Sequence, residues 1–116
     1  MQYLLLIYDT EKDFETKSKA ELDQFMGEYH AFTAEVQASG RMLGANRLQS
    51  VANATTVRIR AGKTQITDGP FAETREQLGG YYLIEAKDLD EATKIALKIP
   101  SARLGSIEIR PIWGMS

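Results

Sequence analysis

Tyr3-Leu4-Leu5-Leu6-Ile7-Tyr8 and Tyr81-Tyr82-Leu83-Ile84-Glu85-Ala86 are the two stretches whose reading decides the fold. Successive side chains of a strand point to opposite faces, so an unbroken apolar run greases both. Leu4 and Leu6 then share one face and Leu5 and Ile7 the other. Tyr81 and Leu83 oppose Tyr82 and Ile84 in the same way. Each run reads as a central strand that needs cover above and below.

The rest of the chain supplies helices and further strands. Ser18 and Glu21 have capping-box spacing, in which hydroxyl and carboxylate satisfy orphan amides of a first helical turn. Leu22, Phe25, Met26, Tyr29, Phe32, Thr33 and Val36 follow at three- and four-residue intervals, one stripe of a 3.6-residue period. Gly40, just past Ser39, supplies a left-handed stop. Residues 42–48 read as a short strand. Thr56-Val57-Arg58-Ile59-Arg60 alternates, Gly62 follows, and Thr64-Gln65-Ile66-Thr67 completes a β-hairpin with a short glycine-containing turn. The segment from Asp68 to Gln77 is polar and has no period. Asp88 and Glu91 open a second helix with Ala92, Ile95, Ala96 and Ile99 as its stripe, and Pro100 ends it. Ser106-Ile107-Glu108-Ile109-Arg110-Pro111-Ile112-Trp113 is the last strand.

Strand, helix, strand or hairpin, strand, helix, strand is the split βαβ order of a ferredoxin-like α+β sandwich, here with an extra β-hairpin. With 116 residues the expectation is a single domain over 1–116. Two helices cover only one face of such a sheet. The other apolar face is either closed by a second copy, giving a homodimer packed sheet to sheet, or overlaid by the hairpin and the C-terminal segment; the two-fold assembly is the economical reading.

Composition narrows the function. Hydrophobic residues at 43% and charged residues at 26% suit a folded soluble domain. Fourteen basic and sixteen acidic side chains give a net charge of −2, which supplies no field to hold a polyanion, so no nucleic-acid partner is expected. There is no cysteine and only one histidine, His30, which excludes thiolate zinc sites, iron–sulfur clusters and cysteine nucleophiles. The apolar run at residues 3–8 is too short to cross a bilayer, and no basic segment precedes it. A cytoplasmic protein without metal or membrane attachment is the expectation. Gly79-Gly80 leads into a strand rather than a helix, so no phosphate-cradling loop and no nucleotide cofactor are expected.

Asp68-Gly69-Pro70-Phe71 is the least ordinary stretch. Pro70 fixes its own φ, biases Gly69 toward extended backbone and donates no amide hydrogen bond, so the segment holds a rigid turn with Asp68 at a strand end. Asp68 either caps that turn or serves a binding loop, and the loop is longer than most connections in compact domains. The whole stretch Asp68-Gly69-Pro70-Phe71-Ala72-Glu73-Thr74-Arg75-Glu76-Gln77-Leu78-Gly79-Gly80-Tyr81-Tyr82 resembles the signature of the DGPF-domain branch of the YciI-like superfamily. Tyr3 to Tyr8, Ala54-Thr55-Thr56-Val57-Arg58 and Ser106-Ile107-Glu108-Ile109-Arg110-Pro111 match it too. Arg75 stands where lysine is frequent in that branch and keeps the charge. The resemblance implies a ferredoxin-like subunit forming a dimeric α/β barrel, and genes often found beside those of extracytoplasmic-function sigma factors.

Better-studied YciI-like proteins place a histidine–aspartate pair in a pocket, and by residue type the resemblance implies His30 and Asp68. His30 falls at the border of the helical stripe, a position open to a proton carrier and equally to a plain helix-edge imidazole. Paired with Asp68, it would be held in one tautomer and shuttle a proton on a small carbonyl or phenolic substrate. Arg75 is the candidate anion contact, and Tyr8 and Phe71 the candidate pocket walls. The expected function is therefore a small-molecule-binding domain, a cofactor-independent enzyme of lyase or isomerase type. The alternative is a non-catalytic regulatory module that binds a protein such as a sigma factor. Arg58, Arg60 and Lys63 share a strand face that would serve that partner, or simply face water.

Overall fold

The computed structural model describes residues 1–114. Strand β1 (Gln2–Asp9) runs into a one-turn helix α1 (Glu11–Glu15) and then the long helix α2 (Lys19–Ala38). Strand β2 (Met42–Arg47), the hairpin strands β3 (Thr55–Arg60) and β4 (Lys63–Asp68), and strand β5 (Gln77–Glu85) come next. Helix α3 (Leu89–Ala96), a 3-10 turn (Pro100–Arg103) and strand β6 (Ser106–Pro111) complete the chain. The main sheet has the order β2-β5-β1-β6 and is antiparallel throughout, the ferredoxin-like arrangement with the hairpin inserted between β2 and β5.

Both helix starts follow their caps. The Ser18 hydroxyl accepts from the Glu21 amide at 3.1 Å while the Glu21 carboxylate accepts from the Ser18 amide at 3.2 Å. Asp88 accepts from the Glu91 amide at 3.0 Å. Gly40 ends α2 at φ 75°, the left-handed conformation glycine enters without strain. β5 begins at Gln77, earlier than the apolar run at 81–86 suggests, because glycine permits the extension. A Cβ on Gly80 would lie 2.8 Å from the Asn46 carbonyl oxygen, so β2 and β5 approach only over a bare backbone. The last strand is shorter than its sequence suggests: pairing stops at Pro111, and Trp113 is 93% exposed.

The core lies between the sheet and the two main helices. Tyr3, Leu5 and Ile7 from β1 and Tyr82 and Ile84 from β5 meet Phe32 and Val36 of α2 and Ala92, Ala96 and Ile99 from the α3 side. The Phe32 ring meets Tyr82 edge-on at 5.1 Å, and the Tyr82 hydroxyl bonds Thr33 at 2.7 Å. The opposite face carries Leu4, Leu6, Tyr81 and Leu83, only half-buried. Neither the hairpin nor the C-terminal segment overlays it. Val57, Ile59 and Ile66, which share one hairpin face, are 63%, 68% and 68% exposed. The hairpin projects, turning through Ala61 (φ 51°) and Gly62 (φ 75°), the two-residue geometry whose twist matches the strands. The radius of gyration, 16.3 Å, accordingly exceeds the roughly 13 Å of a compact chain this long.

One glycine locks the C-terminal turn to the sheet. A Cβ on Gly105 would fall 2.0 Å from the Tyr8 carbonyl oxygen, a backbone atom that cannot step aside. Gly105→Ala is expected to destabilise the protein by about 3 kcal/mol or more. Gly27→Ala, with open space around the new methyl in exposed α2, should stabilise by about 1 kcal/mol. Urea midpoints of the two variants moving in the same direction would contradict this packing.

Candidate functional site

A cavity of about 490 Å³ opens between α2 and the sheet, next to the end of β1. Phe25, Met26 and Tyr29 form its helical wall, and Ile7, Gly80 and Tyr82 its sheet wall. The acidic, basic and imidazole side chains on its lining are Asp9, Glu11, Glu15, His30 and Arg47, beside the phenols of Tyr29, Tyr81 and Tyr82. Glu11 is engaged, accepting from the Ser50 hydroxyl at 2.8 Å and the Val51 amide at 3.1 Å.

The inner wall holds a polar chain inside an apolar surround. Alternation along β1 puts Asp9 on the same face as Tyr3, Leu5 and Ile7, the face that the helices cover. α3 ends at Ala96, earlier than the stripe through Ile99 suggests, and Pro100 opens the 3-10 turn that carries Ser101 inward, where it is fully buried. The Ser101 hydroxyl donates to Asp9 Oδ2 at 2.8 Å and sits 2.5 Å from the Tyr29 hydroxyl. Asp9 Oδ1 is buried and has no hydrogen-bond partner among the described residues. Burial pushes the Asp9 carboxyl up, the Ser101 bond opposes this, and the charges of Glu76 and Asp13 raise it further. Burial pushes the Tyr29 phenol up to about 12, with the Ser101 bond opposing and the Asp9 charge adding.

Of the residues singled out from the sequence, the structure brings His30 to this cavity, exposed on α2 beside Tyr29. Asp68 is the last residue of β4, exposed and opposite Thr55, and does not line the cavity. Phe71 is 76% exposed and its carbonyl accepts from Arg58 at 2.9 Å. Arg75 is exposed too, its carbonyl accepting from the Thr10 hydroxyl at 3.4 Å. Tyr8 points to the open sheet face, where its hydroxyl donates to Glu108 at 3.1 Å. The guanidinium on the cavity lining is that of Arg47. Gly69 takes φ 106° rather than the extended backbone that a following proline favours. Its amide donates to the Ala54 carbonyl at 2.7 Å and its carbonyl accepts from Thr56 at 2.8 Å, which pins the loop to the hairpin base.

Asp9 and Ser101 were missed because each has an ordinary reading: a polar residue closing a strand and a residue after a helix-ending proline. Tyr29, an aromatic that could line a pocket, reads as readily as one more core residue of a helical stripe. The parity of Asp9 with Leu5 and Ile7 was the available signal. The shifts predict two pH effects. Tyr29 keeps its proton when folded and loses it near about pH 10 when unfolded, so its contribution to stability is lost as pH rises from there through about 12. The stability advantage of the wild type over Tyr29→Phe should shrink across that window. Asp9 favours its neutral form when folded, so its contribution is present in acid and lost as pH rises through its raised midpoint. Asp9→Asn should therefore gain on the wild type as pH rises above about pH 4, read from urea midpoints; a variant losing ground as pH rises from there would contradict the shift.

The comparisons with known proteins agree with this architecture. A solved structure of the 5-chloro-2-hydroxyhydroquinone dehydrochlorinase TftG from Burkholderia phenoliruptrix AC1100, in complex with 2,5-dihydroxybenzoquinone, superposes with a TM-score of 0.53. The match covers 100% of this chain and 96% of that one at 13% identity, a likeness of fold. An uncharacterized protein of Rhizobium meliloti (strain 1021), R00369, is 39% identical over 114 residues, covering 97% of this chain and 92% of its own. The family model of the YCII-related domain matches residues 1–116. The chain belongs to the YCII-related domain family.

Proposed function

We propose that the chain is one YciI-like domain of the DGPF type that binds a small, neutral, hydroxylated or carbonyl-bearing molecule and moves a proton on it without a cofactor, as a lyase or isomerase requires. The carrying observation is the cavity itself: about 490 Å³, apolar on both walls, with the His30 imidazole at its side and the Tyr29 hydroxyl at its inner wall. That volume is within the usual range for small-ligand sites. TftG, by its name, acts on a hydroxylated aromatic, and the quinone it was solved with has a size this cavity accepts. His30 is the proton carrier in this reading. Asp68 has no part in this reading, because the hairpin that bears it does not line the cavity.

The test is a thermal-shift and calorimetric screen of small phenols, quinones and carboxylates. Neutral hydroxylated aromatics should bind and carboxylates should not, with His30→Gln cutting turnover of any converted ligand by about 100-fold or more while leaving binding within a few-fold. Asp68→Asn should leave both unchanged. Equal turnover by the His30 variant would end the acid–base assignment.

We further propose that Leu4, Leu6, Tyr81 and Leu83 are covered by the same face of a second copy, the two-fold solution for an apolar sheet face that no helix of this chain covers. Sedimentation equilibrium should give a dimer for the wild type. Leu6→Glu should give a monomer with unchanged far-ultraviolet circular dichroism. A wild type that sediments as a single copy at micromolar concentration would refute the pairing. The regulatory reading draws on one observation, the projecting hairpin with Arg58, Arg60 and Lys63 on one face. It requires charge reversal at Arg58 and Arg60 to abolish capture of an acidic protein partner such as a sigma factor, with His30→Gln having no effect.

A further inference from the structure

We propose that Tyr29, Ser101 and Asp9 form a hydrogen-bonded wire that makes the inner wall of the cavity accept a hydroxyl group of its ligand and carries that group's proton to the half-buried carboxyl of Asp9. The proposal rests on the reading that the cavity holds a small molecule, and it narrows that molecule to one with a phenolic or enolic O–H.

The direction of the wire follows from counting protons. A serine hydroxyl has one proton and two lone pairs. Ser101 gives its proton to Asp9 Oδ2, so at 2.5 Å from Tyr29 it can only accept. The Tyr29 phenol must then donate inward, which leaves its lone pairs as what it offers the cavity. A ligand meeting Tyr29 there has to bring a donor. A methyl ether or a ketone at the same place sets one acceptor against another.

The same geometry carries a proton forward along the direction in which each hydrogen bond already donates. The ligand O–H breaks as a new O–H forms on Tyr29. The Tyr29 proton passes to Ser101 and the Ser101 proton to Asp9. The ligand is left as an oxyanion, Asp9 becomes a carboxylic acid, and Tyr29 and Ser101 end neutral. Protons balance and no oxidant or reductant enters.

The surroundings suit a carboxyl that takes up a proton. Asp13 from α1 and Glu76 from the loop before β5 are the charges acting on Asp9, and both are acidic. The Tyr29 phenol faces it from α2, through Ser101. Arg103, in the same turn as Ser101, is engaged with Glu28 on α2. Glu11, on the cavity lining, is held by Ser50 and Val51. No Lys or Arg bonds Asp9 among the described residues, so no fixed cation holds it ionised. Packing under Gly105 buries Oδ1 of the carboxyl: a Cβ there would stand 2.9 Å from it.

Two measurements on the full chain test this. Without any ligand, carbon-13 NMR of labelled aspartate gives the titration midpoint of Asp9. Tyr29→Phe removes the far end of the wire without touching Asp9, and should raise that midpoint by several tenths of a pH unit. Ser101→Ala should raise it by more, and Ser101→Thr should restore it. No response to Tyr29→Phe would overturn the wire whatever the cavity binds. With 4-cresol and its methyl ether 4-methylanisole as probes, the wild type at neutral pH should prefer the phenol by tenfold or more. Ser101→Ala, which frees the Tyr29 hydroxyl to donate or accept, should reduce the preference to about twofold. An unchanged preference in Ser101→Ala would also overturn the proposal. If the NMR response appears while neither probe binds, the wire stands and the small-molecule reading of the cavity fails.

Discussion

The alternation of β1 is the constraint from which the rest of the structure follows. Its odd positions, Tyr3, Leu5, Ile7 and Asp9, face the helices; its even positions, Leu4, Leu6 and Tyr8, face away. β1 is hydrogen-bonded on both sides, to β5 and β6, so a slip of one residue would have to break both registers at once. That double anchoring carries an ionisable side chain into the core layer. Asp9 is inward because the three odd residues before it are core, and the strand cannot turn it out without turning them out as well.

The C-terminal turn meets this strand at a distance set by the absence of one methyl group. Gly105 lies against the Tyr8 carbonyl, and its neighbours in the turn bring Ser101 within hydrogen-bond reach of Asp9 and Tyr29. Burying a carboxyl with one oxygen unpartnered costs stability that an apolar or amide side chain would not. Nothing in the packing requires the charge there: Leu5, Ile84 and Ile99 already fill the interior between sheet and helices. A polar chain of three residues reaching from that interior to a cavity wall is better accounted for by the ligand at its open end than by the fold.

Much of the fold was legible because the signals were local. Ser18 with Glu21, Asp88 before Glu91, Gly40 and Pro100 mark element ends through geometry confined to a few residues. The start of β5 was hidden, since Gly79 and Gly80 read as a break until the neighbouring backbone of β2 is in place. The site was legible only in part. His30 stood out by its chemistry and does line the cavity. Asp68 stood out for the rigidity of the segment around it. That rigidity serves the hairpin base, where Gly69 bonds Ala54 and Thr56. Ser101 and Asp9 are 92 residues apart in sequence, and no spacing rule joins them.

The charges on the cavity lining decide what it can hold. Asp9, Glu11 and Glu15 outnumber the one guanidinium there, Arg47, and His30 adds a cation only when protonated. A carboxylate or phosphate ligand would enter against that balance and lose its hydration with no cluster of cations to replace it. A neutral molecule faces neither cost. It gains from the aromatic walls, and one hydroxyl suffices to orient it where Tyr29 offers a lone pair. Arg75, the anion contact expected from the sequence, is exposed on a loop that does not line this cavity. In the proposed wire the group that Tyr29 offers the ligand is an acceptor. The oxyanion that the proposed transfer leaves on the ligand faces the hydroxyl proton that Tyr29 has just gained, a donor placed to stabilise it.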